Sequence, residues 1–297
     1  MISELDKKLC GVINVDKPLG ITSFDVVRKI KKIAKEKKVG HGGTLDPEAS
    51  GVLPICIGRA TKAIDFIMEN EKEYIAEIKL GVVTDTYDRE GKILSEKEVT
   101  CSEEEVLSII NKFLGDIDQI PPMFSALKVN GKKLYELARE GIEVERAPRK
   151  ITIKEIEVLN IELPIVKIRV RCSKGTYIRS LCYDIGMELG CGGMMWSLDR
   201  TATGPFHKSN SVNLEELNEE NIEKYLLPLE KVFEKYPKLV VNEKFERLIR
   251  NGVVIKDKSL LCKIKESINY AVYNKENVFI GIGALDIAGF KLIKMFV

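Results

Sequence analysis

Asp46 is the residue whose setting most suggests chemistry. Residues 40–62 read Gly-His-Gly-Gly-Thr-Leu-Asp-Pro-Glu-Ala-Ser-Gly-Val-Leu-Pro-Ile-Cys-Ile-Gly-Arg-Ala-Thr-Lys, so Asp46 sits among glycines, a histidine and two prolines. Glycines let a backbone approach a ligand closely. Pro47 fixes its own φ and biases Asp46 away from helix. A rigid turn of this kind presents a carboxylate, which can serve as nucleophile or base without a cofactor.

The flanking sequence supplies the elements that must hold this turn. Residues 9–16 read as a short strand, and Asp16-Lys17-Pro18-Leu19-Gly20 as a turn. Ser23 is expected to cap a helix to about Lys37, with Val26, Val27, Ile30 and Ile33 on one face. Residues 61–69 look helical. Tyr74, Ala76, Ile78 and Leu80 alternate with Glu77 and Lys79, as in a half-buried strand. Residues 84–91 read as a polar loop, and Ser102 with Glu105 has capping-box spacing. A basic, glycine-punctuated stretch covers 124–148. Two strands are expected over 151–161 and 165–172, then a turn at Lys174-Gly175-Thr176. A helix follows with Ile178, Leu181, Cys182, Ile185 and Leu189 in one stripe. Residues 211–233 read as acidic and helical, and 238–297 as a small, mostly β unit beyond Tyr236-Pro237.

The chain has 297 residues, 44% hydrophobic and 31% charged, ample for a large core and two domains. No apolar run reaches membrane-spanning length, and residues 1–8 are too polar for a secretory signal. Seven scattered cysteines without Cys-x-x-Cys spacing fit reduced thiols, and a cytoplasmic protein is expected. Two histidines, His41 and His207, argue against a zinc site. Net charge is only +2, but it is segregated. Lys29, Lys31, Lys32, Lys35, Lys37 and Lys38 crowd before the Asp46 block. Lys128, Lys132, Lys133, Arg139, Arg146, Arg149 and Lys150 form a second basic stretch, while Glu215, Glu216, Glu219, Glu220 and Glu223 gather elsewhere. Such segregation can build a basic face for nucleic acid, or simply solvate helices.

Residues 40–62 closely resemble the signature of the TruB family of tRNA pseudouridine synthases, departing at Glu48 and Ser50. Further matches follow in order: residues 16–23, Lys72-Glu73-Tyr74, Thr84-Asp85-Thr86-Tyr87-Asp88, residues 121–131, residues 175–181 and residues 198–206. Asp199 stands where the family usually has arginine. The resemblance implies an α+β fold: a central mixed, mainly antiparallel sheet flanked by helices, plus a small PUA-like β domain. Residues 1–237 would be catalytic, with an RNA-clamping insertion at about 122–150, and 238–297 would bind RNA. The implied activity is isomerisation of uridine to pseudouridine at position 55, in the TΨC loop of tRNA, by a monomer without cofactor or metal.

By the same resemblance Asp46 is the catalytic aspartate and Arg179 its cationic partner. Tyr74 stacks on the flipped base and takes part in proton transfer, while Tyr177 and Leu198 line the uracil pocket. His41 fills the space the base vacates, Lys17 lies near the site or the RNA backbone, and Asp88 helps order the site. Each residue also has an ordinary use. Asp46 could be a plain turn residue, Arg179 a surface helix arginine, and Tyr74 and Leu198 core packing. Lys17 could be a turn lysine and His41 a loop anchor. The acids of 84–88 could suggest Mg²⁺, which this chemistry does not need. Two rival functions remain at this level: an RNA-binding or RNA-folding protein without catalysis, and an aspartyl-phosphate phosphohydrolase. The second carries its nucleophilic Asp before a Gly-Thr-Leu turn, whereas here Asp46 follows it.

Overall fold

The computed structural model describes residues 9–129, 131–262 and 264–297; residues 1–8 and Asn130, used above, lie outside it. The strands are β1 (Gly11–Lys17), β2 (Val39–His41), β3 (Ala49–Ile57), β4 (Lys72–Leu80), β5 (Val82–Thr84), β6 (Ile93–Glu96), β7 (Gly115–Gln119), β8 (Lys128–Val129) and β9 (Lys132–Lys133). They continue with β10 (Arg149–Glu162), β11 (Ile165–Cys172), β12 (Gly193–Thr203), β13 (Phe206–His207), β14 (Val212–Asn213), β15 (Lys238–Val240), β16 (Asn269–Tyr273), β17 (Phe279–Asp286) and β18 (Gly289–Met295). The helices are α1 (Ser23–Ile33), α2 (Ile64–Met68), α3 (Glu103–Asn111), α4 (Leu134–Arg139), α5 (Ile178–Glu188), α6 (Glu243–Arg250) and α7 (Lys258–Leu261).

A ten-stranded sheet runs in the order β14-β1-β3-β12-β4-β11-β10-β7, with β13 on β12 and β2 on β3. The β1–β14 and β3–β12 pairs are parallel and the others antiparallel, so the sheet is mixed and mainly antiparallel, as expected. Period-two patterning builds it: in β4 Lys72, Tyr74, Ala76, Ile78 and Leu80 are buried and the intervening residues are half-buried. Helices α1, α3 and α5 pack on one face, where Val26, Ile30, Val106, Ile110, Leu181 and Ile185 join the core. A separate sheet, β15-β16-β17-β18, carries its own apolar cluster around Phe245, Ile249, Val272 and Phe290. A second cluster joins the two sheets: Val12, Val52, Cys56, Phe206 and Phe233 meet Phe279, Ile282 and Phe296.

Four expectations change. The cap of α1 is Thr22, in a capping box with Asp25, rather than Ser23, whose hydroxyl turns inward. The helix stops at Ile33, where apolar spacing runs out and Lys35 takes a left-handed turn at φ 49°. Residues 211–233 are not one helix. They form β14 and three short 3₁₀ turns, because Asn213 and Asn218 bond nearby backbone N–H groups and Pro228 interrupts the run. The acids of this stretch fold back on α1 instead: Glu215 pairs with Lys29 and Glu219 with Lys35. Residues 238–297 also hold α6, capped by Asn242 with Phe245 and Ile249 on its buried face, a helix the β-like reading missed. All seven cysteines are free thiols. Among the described residues no helix is long and apolar enough to cross a membrane.

Gly51 lies where β1, β3 and β12 meet, paired with Lys17 and with Arg200. Its φ is +104°, and a Cβ there would lie 2.3 Å from the Arg200 carbonyl oxygen. Gly51→Ala is therefore expected to cost about 3 kcal/mol or more of stability, read from the urea midpoint. A variant as stable as wild type would mean that β3 and β12 can part at this point.

Candidate active site

Five successive carbonyls around Asp46 are each bound. Those of Gly43 and Thr44 accept from Arg200 at 3.1 and 3.3 Å, and that of Leu45 from the Ser23 hydroxyl at 3.0 Å. The Asp46 carbonyl accepts from Ala49 N–H at 3.1 Å. The Pro47 carbonyl accepts from Gly20 N–H at 2.9 Å and from Lys17 Nζ at 3.3 Å. Ser23 also accepts from Leu45 N–H at 2.8 Å. The turn is thus fixed by β1, α1 and β12 together, and the Asp46 side chain remains 42% exposed.

Arg179, in the first turn of α5, meets that carboxylate with Nη2 at 3.1 Å, while its own side chain is only 8% exposed. Five further contacts hold the arginine or its holder. Nη1 reaches Asp88 at 3.3 Å and the Thr86 carbonyl at 3.2 Å, and Nη2 also donates to the Phe124 carbonyl at 2.8 Å. Asp88 in turn accepts from the Thr86 hydroxyl at 2.5 Å and from Glu90 N–H at 3.2 Å. Its carboxylate is thereby committed to Arg179 and its own loop. The planar guanidinium can serve both acids at once, which an ammonium cannot do in fixed geometry. Tyr177, the residue before α5, is clamped by Gln119: its N–H donates at 2.8 Å and its carbonyl accepts at 3.0 Å.

Tyr74 is buried on β4, opposite Arg200 on β12 and Val170 on β11. Burial raises its pKa, the Arg200 charge opposes that rise, and the Asp46 charge adds to it. Burial likewise raises the Tyr177 phenol, which also senses Asp46. Leu198 is buried between Ala76 and Ala49. Asp46, Arg179, Asp88, Tyr74, Tyr177 and Leu198 therefore share one region at the β3–β12–β4 seam and the start of α5.

His41 and Lys17 are placed differently. His41, at the end of β2, accepts through Nδ1 from Gly43 N–H at 3.4 Å, and burial lowers its pKa and keeps the ring neutral. Lys17 is fully buried, so it cannot reach an RNA backbone. Its Nζ donates to the Pro18 and Ile21 carbonyls at 2.8 Å as well as to Pro47, which makes it a brace beneath the Asp46 turn. Asp199 points away from this floor. It accepts from Ser50 at 2.9 Å and from Lys208 at 2.7 Å, so two departures from the family pattern contact each other. Glu48, the third, pairs with Arg89 at 2.6 Å.

Sequence reasoning missed Arg200, Ser23 and Gln119 as site builders. Arg200 left a readable signal. It falls on the same side of β12 as Leu198, and an arginine on the core side of a strand calls for a reason. Ser23 and Gln119 left none, since both act through contacts distant in sequence.

Residues 31–178 match the TruB family pseudouridylate synthase N-terminal domain, and residues 179–234 the tRNA pseudouridylate synthase B C-terminal domain. The chain is 59% identical over 285 residues to the tRNA pseudouridine synthase B of Clostridium acetobutylicum, covering 96% of this chain and 99% of that protein. It is 59% identical over 288 residues to that of Clostridium tetani, covering 97% and 99%. Among solved structures, a chain of a Cbf5–Nop10–Gar1 complex superposes with a TM-score of 0.75 at 31% identity, over 97% of this chain and 85% of that one. A chain of an H/ACA RNP bound to a substrate RNA containing 2′-deoxyuridine gives 0.72 at 28% identity, over 97% and 85%. The fold is that of a pseudouridine synthase, an isomerase. The chain belongs to the TruB family.

Burial depresses the Lys17 ammonium from its ordinary 10.5 to about 8. Between those values the unfolded chain binds more protons than the folded one, so stability from this group rises with pH across the window. Relative to Lys17→Met, wild type is expected to gain about 2 kcal/mol between pH 8 and pH 10 in urea unfolding. A constant difference would mean that the buried amine titrates normally.

Proposed function

We propose that this protein is a tRNA pseudouridine(55) synthase, isomerising the uridine of the TΨC loop with Asp46 as its nucleophile. The observation that supports this best is the Asp46–Arg179–Asp88 arrangement: a carboxylate on a fixed turn, partly open to the outside and paired with a buried guanidinium. Similarity to proteins named tRNA pseudouridine synthase B directs the reading to tRNA.

The reaction breaks C1′–N1, turns the base and joins C1′ to C5. A proton leaves C5 and one is gained at N1, so nothing is oxidised and no cofactor is required. Asp46 can attack C1′, attack C6 of the base, or remove the C2′ proton to give a glycal; the arrangement serves all three. A uridine in a folded loop must leave its stack first. Tyr74, Tyr177 and Leu198 then line its pocket, and His41 occupies the vacated place. Residues 124–148, with Lys128, Lys132, Lys133 and Arg139, close over the T arm and contact phosphates, which position without reading sequence. Residues 1–237 form the catalytic domain, and 238–297 a PUA-like domain that extends the RNA surface. The enzyme acts as a monomer in the cytoplasm.

The test is pseudouridine formation in an unmodified T-arm transcript, with EDTA present. Wild type is expected to convert the loop uridine. Asp46→Asn should bind the RNA equally well and lose about 10⁴-fold or more in rate. Wild type that binds but converts nothing would leave a non-catalytic RNA-binding protein, and a requirement for Mg²⁺ would restore the phosphohydrolase.

A further inference from the structure

Four cations are buried among the described residues, Lys17, Lys72, Arg179 and Arg200, against a single buried carboxylate, Asp88. Arg179 takes that carboxylate together with Asp46. The other three are held by backbone carbonyls. Lys17 bonds Pro18, Ile21 and Pro47, and Lys72 bonds Met68 and Asn70. Arg200, at 1% exposure, donates from Nε to Val52 at 2.7 Å and from its two Nη groups to Thr44 and Gly43. Among the described residues no carboxylate pairs with it. Burying a charge without a counter-ion is costly, and carbonyl dipoles offset only part of the loss. A structural brace needs no net charge: a Gln or Asn could bind carbonyls at less expense.

The position of this charge suggests its use. Arg200 faces Tyr74 across β12–β4 and lies directly beneath residues 43–44 of the Asp46 turn. Its field reaches Tyr74, His41 and Lys17, residues that surround the site from three different elements.

We propose that Arg200 stabilises the negative charge that the uracil carries during isomerisation, acting through the Tyr74 hydroxyl and the loop carbonyls as a positioning residue. This rests on the reading of the site as a uridine isomerase, but not on the route. If Asp46 attacks C1′, the carboxylate forms the new bond to carbon and the C1′–N1 pair leaves with the base. If Asp46 removes the C2′ proton, that C–H pair becomes the C1′–C2′ double bond, and again the base departs with the C1′–N1 pair. If Asp46 adds to C6, the ring pair moves to O4. In each case uracil becomes an anion, with its charge spread over ring nitrogen and oxygens. The pair at C5 then closes the new bond to C1′; the Asp46 bond to C1′ or C6 breaks with its pair returning to the carboxylate, or, on the glycal route, Asp46 gives its proton back to C2′; the C5 proton departs and N1 is protonated. A fixed cation in a low-dielectric floor favours that anion without reorganising.

The experiment compares wild type, Arg200→Lys and Arg200→Met on T-arm RNA carrying either uridine or 5-fluorouridine at the target. Fluorine withdraws electrons and makes the base anion less demanding. RNA affinity and the single-turnover rate of C1′–N1 cleavage are measured separately. Arg200→Met is expected to cleave uridine about 100-fold more slowly, with affinity nearly unchanged. Its deficit on 5-fluorouridine should be about tenfold smaller, and Arg200→Lys should keep most of the rate. Equal deficits on both bases, or a rate loss that follows RNA affinity, would overturn the assignment and leave Arg200 a brace. If Arg200→Met does not fold, Arg200→Gln, which keeps donors for the carbonyls but carries no charge, takes its place: a deficit smaller on 5-fluorouridine supports the role, and an equal deficit or none rejects it. Wild type inert on both RNAs would instead overturn the isomerase reading itself.

Discussion

One guanidinium organises this protein. Arg179 sits between two acids that come from different loops, one of them also braced from beneath by Arg200, Ser23 and Lys17. Asp46 comes from the turn before β3, Asp88 from the polar loop after β5, and the Phe124 carbonyl from the basic insertion. Helix α5 brings the arginine to the point where these three segments converge. A lysine could neutralise one acid, but the flat, forked guanidinium fixes an angle as well as a charge. Three separate stretches of chain are thereby held in register by a single side chain.

The Asp46 turn shows how a loop becomes as rigid as a strand. Regular structure satisfies its carbonyls through a ladder, whereas here the acceptors of residues 43–47 are met by Arg200, Ser23, Ala49, Gly20 and Lys17 in turn. Two of those five donors are buried cations. The arrangement therefore does two things with one set of contacts. It removes the freedom of the backbone next to the Asp46 carboxylate, and it places positive charge directly beneath the turn that carries it.

The order of strands and helices was readable where a period was long and uniform. Tyr74 to Leu80 alternate cleanly, and α1 and α5 show helical stripes, because burial on one face leaves a regular mark. The stretch 211–233 misled, since its acids and leucines mimic a helix while its asparagines bond their own backbone. In the site, a carboxylate in a Gly/Pro turn was legible from local sequence. What that carboxylate would meet was not, because Arg179 lies more than a hundred residues away and Gln119 and Ser23 work only through folded contacts. Of the two places considered for Lys17, near the site or at the RNA backbone, its burial beneath the Asp46 turn leaves only the first. A turn lysine looks exposed until the turn is found packed beneath another loop.

Strand β3 has no solvent face. Leu53, Ile55 and Ile57 point into the core shared with α1, while Val52 and Cys56 on the reverse are roofed by Phe233, Phe279 and Phe296. The ring centroids of Phe279 and Phe296 stand 5.6 and 5.3 Å from that of Phe233. These two rings come from the small four-stranded sheet, far along the chain. That sheet is therefore not a detachable attachment. It insulates the back of the strand that leaves the Asp46 turn, so a chimera that exchanged it for another module would have to import a matching aromatic seam, or else admit water behind that turn.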